Sequence, residues 1–266
     1  IFNNCTFLNK KSSLSGADKW TGVNMWGKYE FNNCEFDTEA HCNVKCDGVV
    51  AAFNGCEFTD GREVTSVVNY TGDFTADITF DGKKYVAEGL LEDENGNQVA
   101  STEGGLKEAL ENGGSVVLAN PFTIDQSESN GYGKTGINMT NGGTLDGNGN
   151  ELGAPGSTGT WDSAINTSGG TIKNIKVSKG FRGIFIKKDS NHNEKLYLDN
   201  VTIDGTTYTI SCDSGNGLGL EATNSTFKGW TSYAATLGNA KFTDCYFGAG
   251  AGYSYCRPYA PTEFVG

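Results

Sequence analysis

A six-residue phrase recurs along this chain of 266 residues, and it constrains the fold more than any other feature. Its first, fourth and sixth positions are apolar or small, its second and fifth are mostly polar, and its third is Asn, Asp or Gly in every copy. Consecutive copies within each group start 20 to 29 residues apart, which is the period of a solenoid built from stacked coils. The copies occupy residues 2–7, 31–36, 53–58, 172–177, 198–203, 222–227 and 242–247, and residues 264–266 begin another.

The pattern within each phrase predicts the structure of one coil. Alternation of apolar and polar residues favours short β-strands with one buried face. The third position interrupts that alternation, and Asn, Asp and Gly adopt left-handed or bridging backbone conformations at low cost. We therefore expect two short strands joined by a bend in each coil, and a β-solenoid instead of a helical repeat.

Four of the eight cysteines share the fourth position of the phrase: Cys5, Cys34, Cys56 and Cys245. Stacked coils would place them above one another at about 4.8 Å, in ladders that face the interior. There a thiol behaves as a small buried apolar group. Parallel Cα–Cβ bonds suit a disulfide poorly, so we predict buried thiols, with metal binding or bridging as the alternative.

The phrases resemble those of right-handed parallel β-helix proteins of the pectin-lyase-like superfamily. Residues 101–119 are similar to the helix and first strand at the start of such domains, with Leu106, Ala109 and Leu110 on one apolar helical face. Residues 142–150 resemble a turn of the first coil. The resemblance implies an all-β, right-handed parallel β-helix with a small β insertion and one short capping helix. It implies no single activity, because this fold carries many functions.

The order of segments predicts three parts. Residues 1–60 form β-helix coils, residues 61–100 form a β-hairpin insertion or linker, and residues 101–266 form the capping helix followed by further coils. Within the second part, residues 77–86 predict a hairpin with an Asp-Gly turn. In one interpretation the chain joins the tail of one β-helix to the start of another, as a piece of a longer tandem protein. The alternative is a single solenoid that residues 61–100 interrupt.

The net charge of the chain limits the kinds of partner that it can bind. The net charge is −12 and no basic stripe is visible, which disfavours nucleic acid and anionic membranes. No apolar run reaches the length of a membrane span. We expect a surface polysaccharide or neighbouring protein subunits as partners, including a homo-oligomer or end-to-end assembly. The expected location is extracellular, on a cell surface or a virion.

The catalytic motifs of pectate lyases and polygalacturonases are not matched. Arg257 and Pro258 lack the spacing and the second arginine of Arg-x-Pro-x-x-Arg, and neither His41 nor His192 lies in Gly-His-Gly. Residues 182–187 are not an adequate substitute for Arg-Ile-Lys. We predict no catalytic residue, although folding could pair two carboxylates for glycoside hydrolysis. The carboxylates considered are Asp189, Asp199, Asp204, Asp213 and Glu221.

No metal site and no cofactor is predicted. His41, Cys42 and Cys46 lie close in sequence, but no second ligand pair of standard spacing follows, so we interpret them as a turn with two incidental thiols or one disulfide. Residues 146–150 and 93–97 imitate the start of an EF-hand loop. Both lack its glycine at the sixth position and its glutamate at the twelfth.

The best candidate surface is aromatic. Two segments about one coil apart, residues 230–233 and 252–259, would lie on the same side of a solenoid. Tyr and Trp with a nearby Arg suit sugar stacking or a protein interface, whereas the alternative is that half of them face inward as core. Trp20 and Trp26 are a weaker candidate. The predicted carbohydrate- or partner-binding residues are Trp230, Tyr233, Tyr253, Tyr255, Arg257 and Tyr259.

These observations favour a non-catalytic rod, a structural or adhesive module of a cell-surface protein or a phage virion appendage that binds carbohydrate. The alternative is a polysaccharide lyase or glycoside hydrolase of the pectin-lyase-like type. A third hypothesis is self-assembly through stacking of exposed coil ends.

Overall fold

The computed structural model is an all-β fold, a parallel β-solenoid of about nine turns with 57% strand, 6% helix and one α-helix, as predicted. The chain forms two compact units, residues 1–105 and 106–266, which we call unit 1 and unit 2. The predicted boundaries at residues 60 and 100 stay predictions. The structure describes residues 1–8, 22–125, 128–129, 133–153, 162–178, 180–187, 194–214, 218–233, 237–250 and 256–266.

Unit 1 is built from coils whose strands form three parallel ladders, which we call its first, second and third faces. The first face contains β1 (Phe2–Asn3), β4 (Lys28–Asn32), β7 (Val49–Asn54) and β10 (Ala76–Phe80). The second face contains β2 (Thr6–Phe7), β5 (Glu35–Phe36) and β8 (Glu57–Phe58). The third face contains β3 (Gly22–Met25), β6 (His41–Val44) and β9 (Val68–Tyr70).

In unit 1 the first position of the phrase is phenylalanine, and these identical rings stack from coil to coil. Phe2, Phe31, Phe53 and Phe80 form an internal column with neighbouring ring centroids 4.7 to 5.1 Å apart. The inner two rings are almost fully buried. Burying such a side chain contributes roughly 1.5–3 kcal/mol, and the ring pairing adds to it.

The coil series of unit 1 continues beyond the last recognisable phrase. Strand β10 pairs in parallel with β7, which places Phe80 beside Phe53 although residues 76–80 lack the full motif. The predicted Asp-Gly hairpin then follows, with Asp81 and Gly82 at φ 47° and 78°. Strand β11 (Lys83–Ala87) runs antiparallel to β10, and β12 (Leu90–Glu92) and β13 (Gln98–Ala100) extend the antiparallel sheet.

Two short helices accompany these strands. A 3-10 helix, Val64–Val67, precedes β9, and the Glu63 carboxylate accepts hydrogen bonds from the Thr65 main chain and hydroxyl. The α-helix α1, Glu103–Glu111, begins where the Thr102 hydroxyl accepts a hydrogen bond from Gly105 N–H at 3.1 Å. Its predicted apolar face is confirmed, since Leu106, Ala109 and Leu110 are buried.

Unit 2 repeats the same plan with three faces of parallel strands. The first face contains β14 (Ser115–Leu118), β18 (Thr144–Asp146), β21 (Gly170–Ser178), β23 (Leu196–Asp204), β25 (Gly219–Thr223), β28 (Asn239–Thr243) and β31 (Thr262–Val265). The second face contains β15 (Phe122–Thr123), β19 (Glu151–Gly153), the later halves of β21 and β23, β26 (Thr226–Lys228) and β29 (Tyr246–Gly248). The third face contains β16 (Glu128–Ser129), β17 (Lys134–Met139), β20 (Ser163–Thr167), β22 (Arg182–Lys187), β24 (Tyr208–Ser214), β27 (Trp230–Tyr233) and β30 (Cys256–Pro258), with β16 antiparallel to β17.

The third position of the phrase is the corner between the first and second faces. All seven predicted corners have positive φ, at Asn4, Asn33, Gly55, Asn174, Asn200, Asn224 and Asp244. The six non-glycine corners lie between 49° and 54°. This is the left-handed region that Asn and Asp tolerate better than other residues with a Cβ. The corner explains why the strand alternation breaks at this position.

Candidate functional site on the third face of unit 2

The two predicted aromatic segments meet on the third face of unit 2. Strand β27 pairs in parallel with β30, and this register places Ser232 opposite Arg257 and Tyr233 opposite Pro258. The predicted proximity of the segments is therefore present in the described strands. We call Tyr208, Trp230, Arg257 and Tyr259, with Phe185 and Arg182 beside them, the outer strip.

Trp230 is half-buried at the first position of β27. It stacks on Tyr208 of the preceding coil with ring centroids 4.6 Å apart and planes inclined by 18°. The neighbouring Thr209 and Thr231 are fully buried and share a hydrogen bond of 2.6 Å. Tyr208 and Trp230 are the first residues of their strands and both are half-buried, and the register of β24 with β27 shifts after Tyr208.

A buried arginine continues the stack toward the preceding coil. The guanidinium carbon of Arg182 lies 4.7 Å from the centre of the Phe185 ring and 5.8 Å from that of Tyr208. Arg182 and Phe185 are buried, whereas Tyr208 is half-buried. Cation–π contact of this kind is strongest where water is excluded, so Arg182 links the buried Phe185 ring to the half-buried Tyr208 ring.

Arg257 and Tyr259 form the exposed end of the outer strip. The Arg257 guanidinium carbon lies 4.6 Å from the centre of the Tyr259 ring, and 47% of Tyr259 is exposed. Within the described residues the Arg257 guanidinium forms no ion pair. Five lysines of unit 2 do form ion pairs, namely Lys173, Lys176, Lys195, Lys228 and Lys241. Among the parts of the chain that the structure describes, no carboxylate balances the Arg257 cation, which lies against an aromatic ring.

The predicted site residues divide into three groups. Arg257 and Tyr259 are exposed, and Trp230 is half-buried against Tyr208. Tyr233 belongs to β27, but its side chain lies outside the description, and Tyr253 and Tyr255 lie outside the described residues. Their binding role stays a prediction.

Sequence reasoning missed the members of the outer strip in the two preceding coils. Arg182, Tyr208 and Trp230 occupy equivalent positions of β22, β24 and β27. The third-face strands carry no phrase, so only an alignment of whole coils would have placed these three residues in one row.

Three of the carboxylates considered for catalysis form hydrogen bonds or ion pairs with residues of neighbouring coils. Asp199 accepts hydrogen bonds from the Thr223 hydroxyl at 2.9 Å and the Asn224 amide at 3.2 Å. Asp204 pairs with Lys228 at 3.0 Å, and Glu221 pairs with Lys195 at 2.8 Å. These contacts tie one coil to the next. The Asp189 residue and the Asp213 side chain lie outside the description.

The lysines that form ion pairs between adjacent coils are poor general bases. A hydrogen bond to Glu151 raises the pKa of Lys176, and a hydrogen bond to Glu221 raises the pKa of Lys195. A lysine that abstracts a proton near neutral pH needs a lowered pKa. Both amines therefore stay protonated and serve as positive partners on the surface.

The thiols of the fourth phrase position bond to main-chain carbonyl groups. Cys5, Cys34, Cys56 and Cys245 form no disulfide, and Cys34 is fully buried while the other three are half-buried. The Cys56 thiol donates to Phe31 of the coil before it at 3.4 Å, as Cys34 and Cys245 donate to their preceding coils. Cys5, Cys34 and Cys56 lie in successive coils of unit 1 and Cys245 lies in unit 2, and of these four the predicted burial is complete for Cys34 alone.

Among the residues that the structure describes, no group of three or more His, Cys, Asp or Glu side chains could hold a metal ion. Cys42 is fully buried within β6, whereas the Cys46 thiol donates to the Trp26 carbonyl at 3.6 Å. His41 is half-buried at the start of the same strand. These three residues therefore serve different local contacts.

No helix among the described residues is long and apolar enough to cross a bilayer. No protein-family model, no curated protein and no solved structure matches the chain. The resemblance to the pectin-lyase-like superfamily stays a prediction, and the chain is assigned here to the parallel β-solenoids by its own geometry.

Proposed function

We propose that this chain is a non-catalytic structural or adhesive β-solenoid module of a cell-surface protein or phage virion appendage, and that it binds carbohydrate through the outer strip. The observations that carry the proposal are the exposed Arg257–Tyr259 contact, which starts on the strand paired with that of Trp230, and the Tyr208–Trp230 stack. Aromatic rings offer large contact area at a low entropic cost, and an arginine adds directed hydrogen-bond donors.

The rest of unit 2 supports a scaffold role. Its described ion pairs join adjacent coils, and its buried positions are filled by ladders of like residues, such as Ile165, Ile184 and Ile210. A rigid stack of this kind presents surface residues at fixed spacing, which suits repeated contacts with an extended polymer.

A binding assay with matched variants tests the proposal. The full chain is measured against a panel of surface polysaccharides by affinity electrophoresis, with Tyr259→Ala and Arg257→Ala as site variants. Loss of one aromatic contact of about 0.5–1.5 kcal/mol should weaken binding roughly threefold to tenfold. Tyr246→Ala is the control, because Tyr246 is 61% exposed on the second face, away from the outer strip.

Two results would contradict this function. Binding that is equally sensitive to Tyr246→Ala and Tyr259→Ala, or no binding by any polysaccharide of the panel, would remove the outer strip as the site. Reducing-sugar and unsaturated-product assays on the same panel, with and without calcium, address catalysis. Sustained turnover would favour the lyase or hydrolase alternative.

A further inference from the structure

A small cleft opens on the first face of unit 2, between strands β25 and β28. Its volume is about 190 Å³, and its lining consists of Glu221, Ala222, Thr223, Lys241 and Thr243. Pockets for drug-sized ligands start at roughly 300 Å³, so this cleft suits part of one small ring.

The cleft exists because two opposite charges that face each other are drawn apart. Glu221 and Lys241 are register partners on adjacent strands, at a separation where they could form an ion pair. Glu221 instead accepts a hydrogen bond from Lys195 of the preceding coil at 2.8 Å. Lys241 pairs with Glu263 of the following coil at 3.4 Å. The space between the two side chains is left open, with an acidic wall and a basic wall.

The floor of the cleft is formed by threonines. Thr223 and Thr243 are register partners, and the Thr223 hydroxyl donates to Asp199 at 2.9 Å. Thr223 can therefore still accept a hydrogen bond at this hydroxyl. Within the described residues, neither the Thr243 hydroxyl nor the second carboxylate oxygen of Glu221 has a hydrogen-bond partner.

An aromatic ring stands next to the acidic wall. Tyr197 is the register partner of Glu221 in the preceding coil, and 45% of its side chain is exposed. The Lys195 ammonium lies 5.7 Å from the centre of the Tyr197 ring. The ring can pack against apolar C–H groups of a ligand whose polar edge enters the cleft.

We propose that this cleft binds a neutral sugar ring through two adjacent hydroxyl groups. The free oxygen of Glu221 accepts from one hydroxyl, Lys241 donates to the neighbouring hydroxyl, and Thr243 completes the contact. A neutral ligand fits because both charged walls already have ion-pair partners. A polyhydroxylated ring supplies donors and acceptors together, as the mixed lining requires. This site shares no residue with the outer strip, so it does not depend on the function proposed above.

The test uses the full chain and amide chemical-shift titration with the methyl glycosides of glucose, galactose and mannose. At least one glycoside should shift the amide signals of Thr223 and Thr243. Thr243→Val removes the uncommitted hydroxyl and leaves both ion pairs intact, and it should weaken binding threefold to tenfold. Glu221→Gln should weaken binding more than tenfold, since a charged acceptor is lost.

Matched controls separate the cleft from general effects on the surface. Thr226→Val alters an outward threonine of the second face that has no side-chain hydrogen bond within the described residues, and Glu151→Gln breaks a comparable exposed ion pair with Lys176. Both should bind the glycoside as the parent chain does. Thermal unfolding of each variant confirms folding.

Four outcomes would overturn the assignment. The first is the absence of signal shifts at the cleft with all three glycosides at 50-fold excess over a protein concentration of about 1 mM, conditions that detect millimolar affinity. The second is equal loss of affinity in Thr243→Val and Thr226→Val. The third is stronger binding of a zwitterion, with glycine betaine as the probe, because it would show that the charged walls select a charged ligand. Sensitivity of glycoside binding to Tyr259→Ala alone would place the sugar on the outer strip.

Discussion

The corner residue of each coil holds a backbone conformation that most amino acids avoid. Asn33 has a φ of 49°, and within the described residues its side chain forms no hydrogen bond. The contribution to the fold that the described residues show for Asn33 is therefore its backbone conformation. Asn174, by contrast, also donates to Asp146 and accepts from Asn200 through its side chain.

We expect Asn33→Ala to lower the free energy of unfolding by about 1 kcal/mol, because a Cβ-bearing residue other than Asn or Asp meets a penalty in this region. Asn33→Gly should change it by much less, since glycine adopts positive φ freely. Urea unfolding of the two variants measures the difference. Equal destabilisation by alanine and glycine would show that the amide group, not the backbone, matters at this corner.

The thiols of unit 1 differ in their environment. Burial raises the pKa of the Cys42 thiol far above its ordinary value, with smaller contributions from Cys56 and Cys34. The reactive form of a cysteine is the thiolate, so a raised pKa and burial together suppress alkylation.

Iodoacetamide at pH 8 should therefore label Cys46, which is half-buried, faster than Cys42 in the folded protein. In urea the two rates should converge, because unfolding removes the difference in burial. Peptide mass spectrometry after timed quenching gives both rates. Equal alkylation rates of Cys42 and Cys46 in the folded chain would mean that strand β6 opens often enough to expose Cys42.

At the scale of the element, adjacent coils of unit 2 are joined by polar ties on their outer faces. Asp146 of β18 illustrates them. Partial burial acts to raise its pKa, but hydrogen bonds from the Asn148 main chain and the Asn174 amide, with the ammonium of Lys173, outweigh burial and hold the pKa below its ordinary value of 3.8. The charged carboxylate is thus the form that stabilises the fold.

The sign of the pH effect follows from that direction. A lowered pKa in the folded state contributes stability that is fully present above the pKa of the unfolded chain, and this stability is lost as the pH falls through the folded value. Asp146→Asn should be less stable than the parent by about 0.5–1 kcal/mol at pH 7. The difference should shrink below about pH 4.

Urea unfolding at pH 7 and pH 3 measures this change. Asp77→Asn is the control, since Asp77 is exposed and forms no side-chain hydrogen bond within the described residues. A difference for Asp146→Asn that stays constant between the two pH values would contradict the assignment.

The sequence predicts the local elements but not every position in the solenoid. Corners, strand alternation and the Asp81–Gly82 turn follow from local chemistry, so they were predictable. The predicted hairpin included a strand at β10, but only the pairing of this strand with β7 identifies Phe80 as a ladder member beside Phe53. The outer strip was half predictable. Arg257 and Tyr259 belong to a segment that the sequence already singled out, whereas Tyr208 is placed in the strip only by its register with Trp230. The cleft between Glu221 and Lys241 depends on the coil with which each of these side chains forms its ion pair.

At the scale of the whole molecule, the excess of carboxylates governs solubility. The net charge of −12 at pH 7 keeps copies apart, and the isoelectric point is near 4.6. Light scattering should therefore show self-association that is strongest near pH 4.6 and weak at pH 7. If self-association instead increased toward pH 7, attractive contacts between copies would have to drive it, because charge repulsion is larger at that pH.

The equivalence of the corners bears on how such a chain changes over generations. Asn200 and Asn224 hold the same backbone conformation at the same point of successive coils. A recombination event that removed residues 201–224 would join Asn200 directly to Ser225 and restore an intact phrase, Leu198-Asp199-Asn200-Ser225-Thr226-Phe227. The internal ladders would close over the junction, but Tyr208, Glu221 and Thr223 would be gone. Unequal exchange between coils can therefore remove residues of the outer strip and of the cleft in one genetic step while the core keeps its pattern.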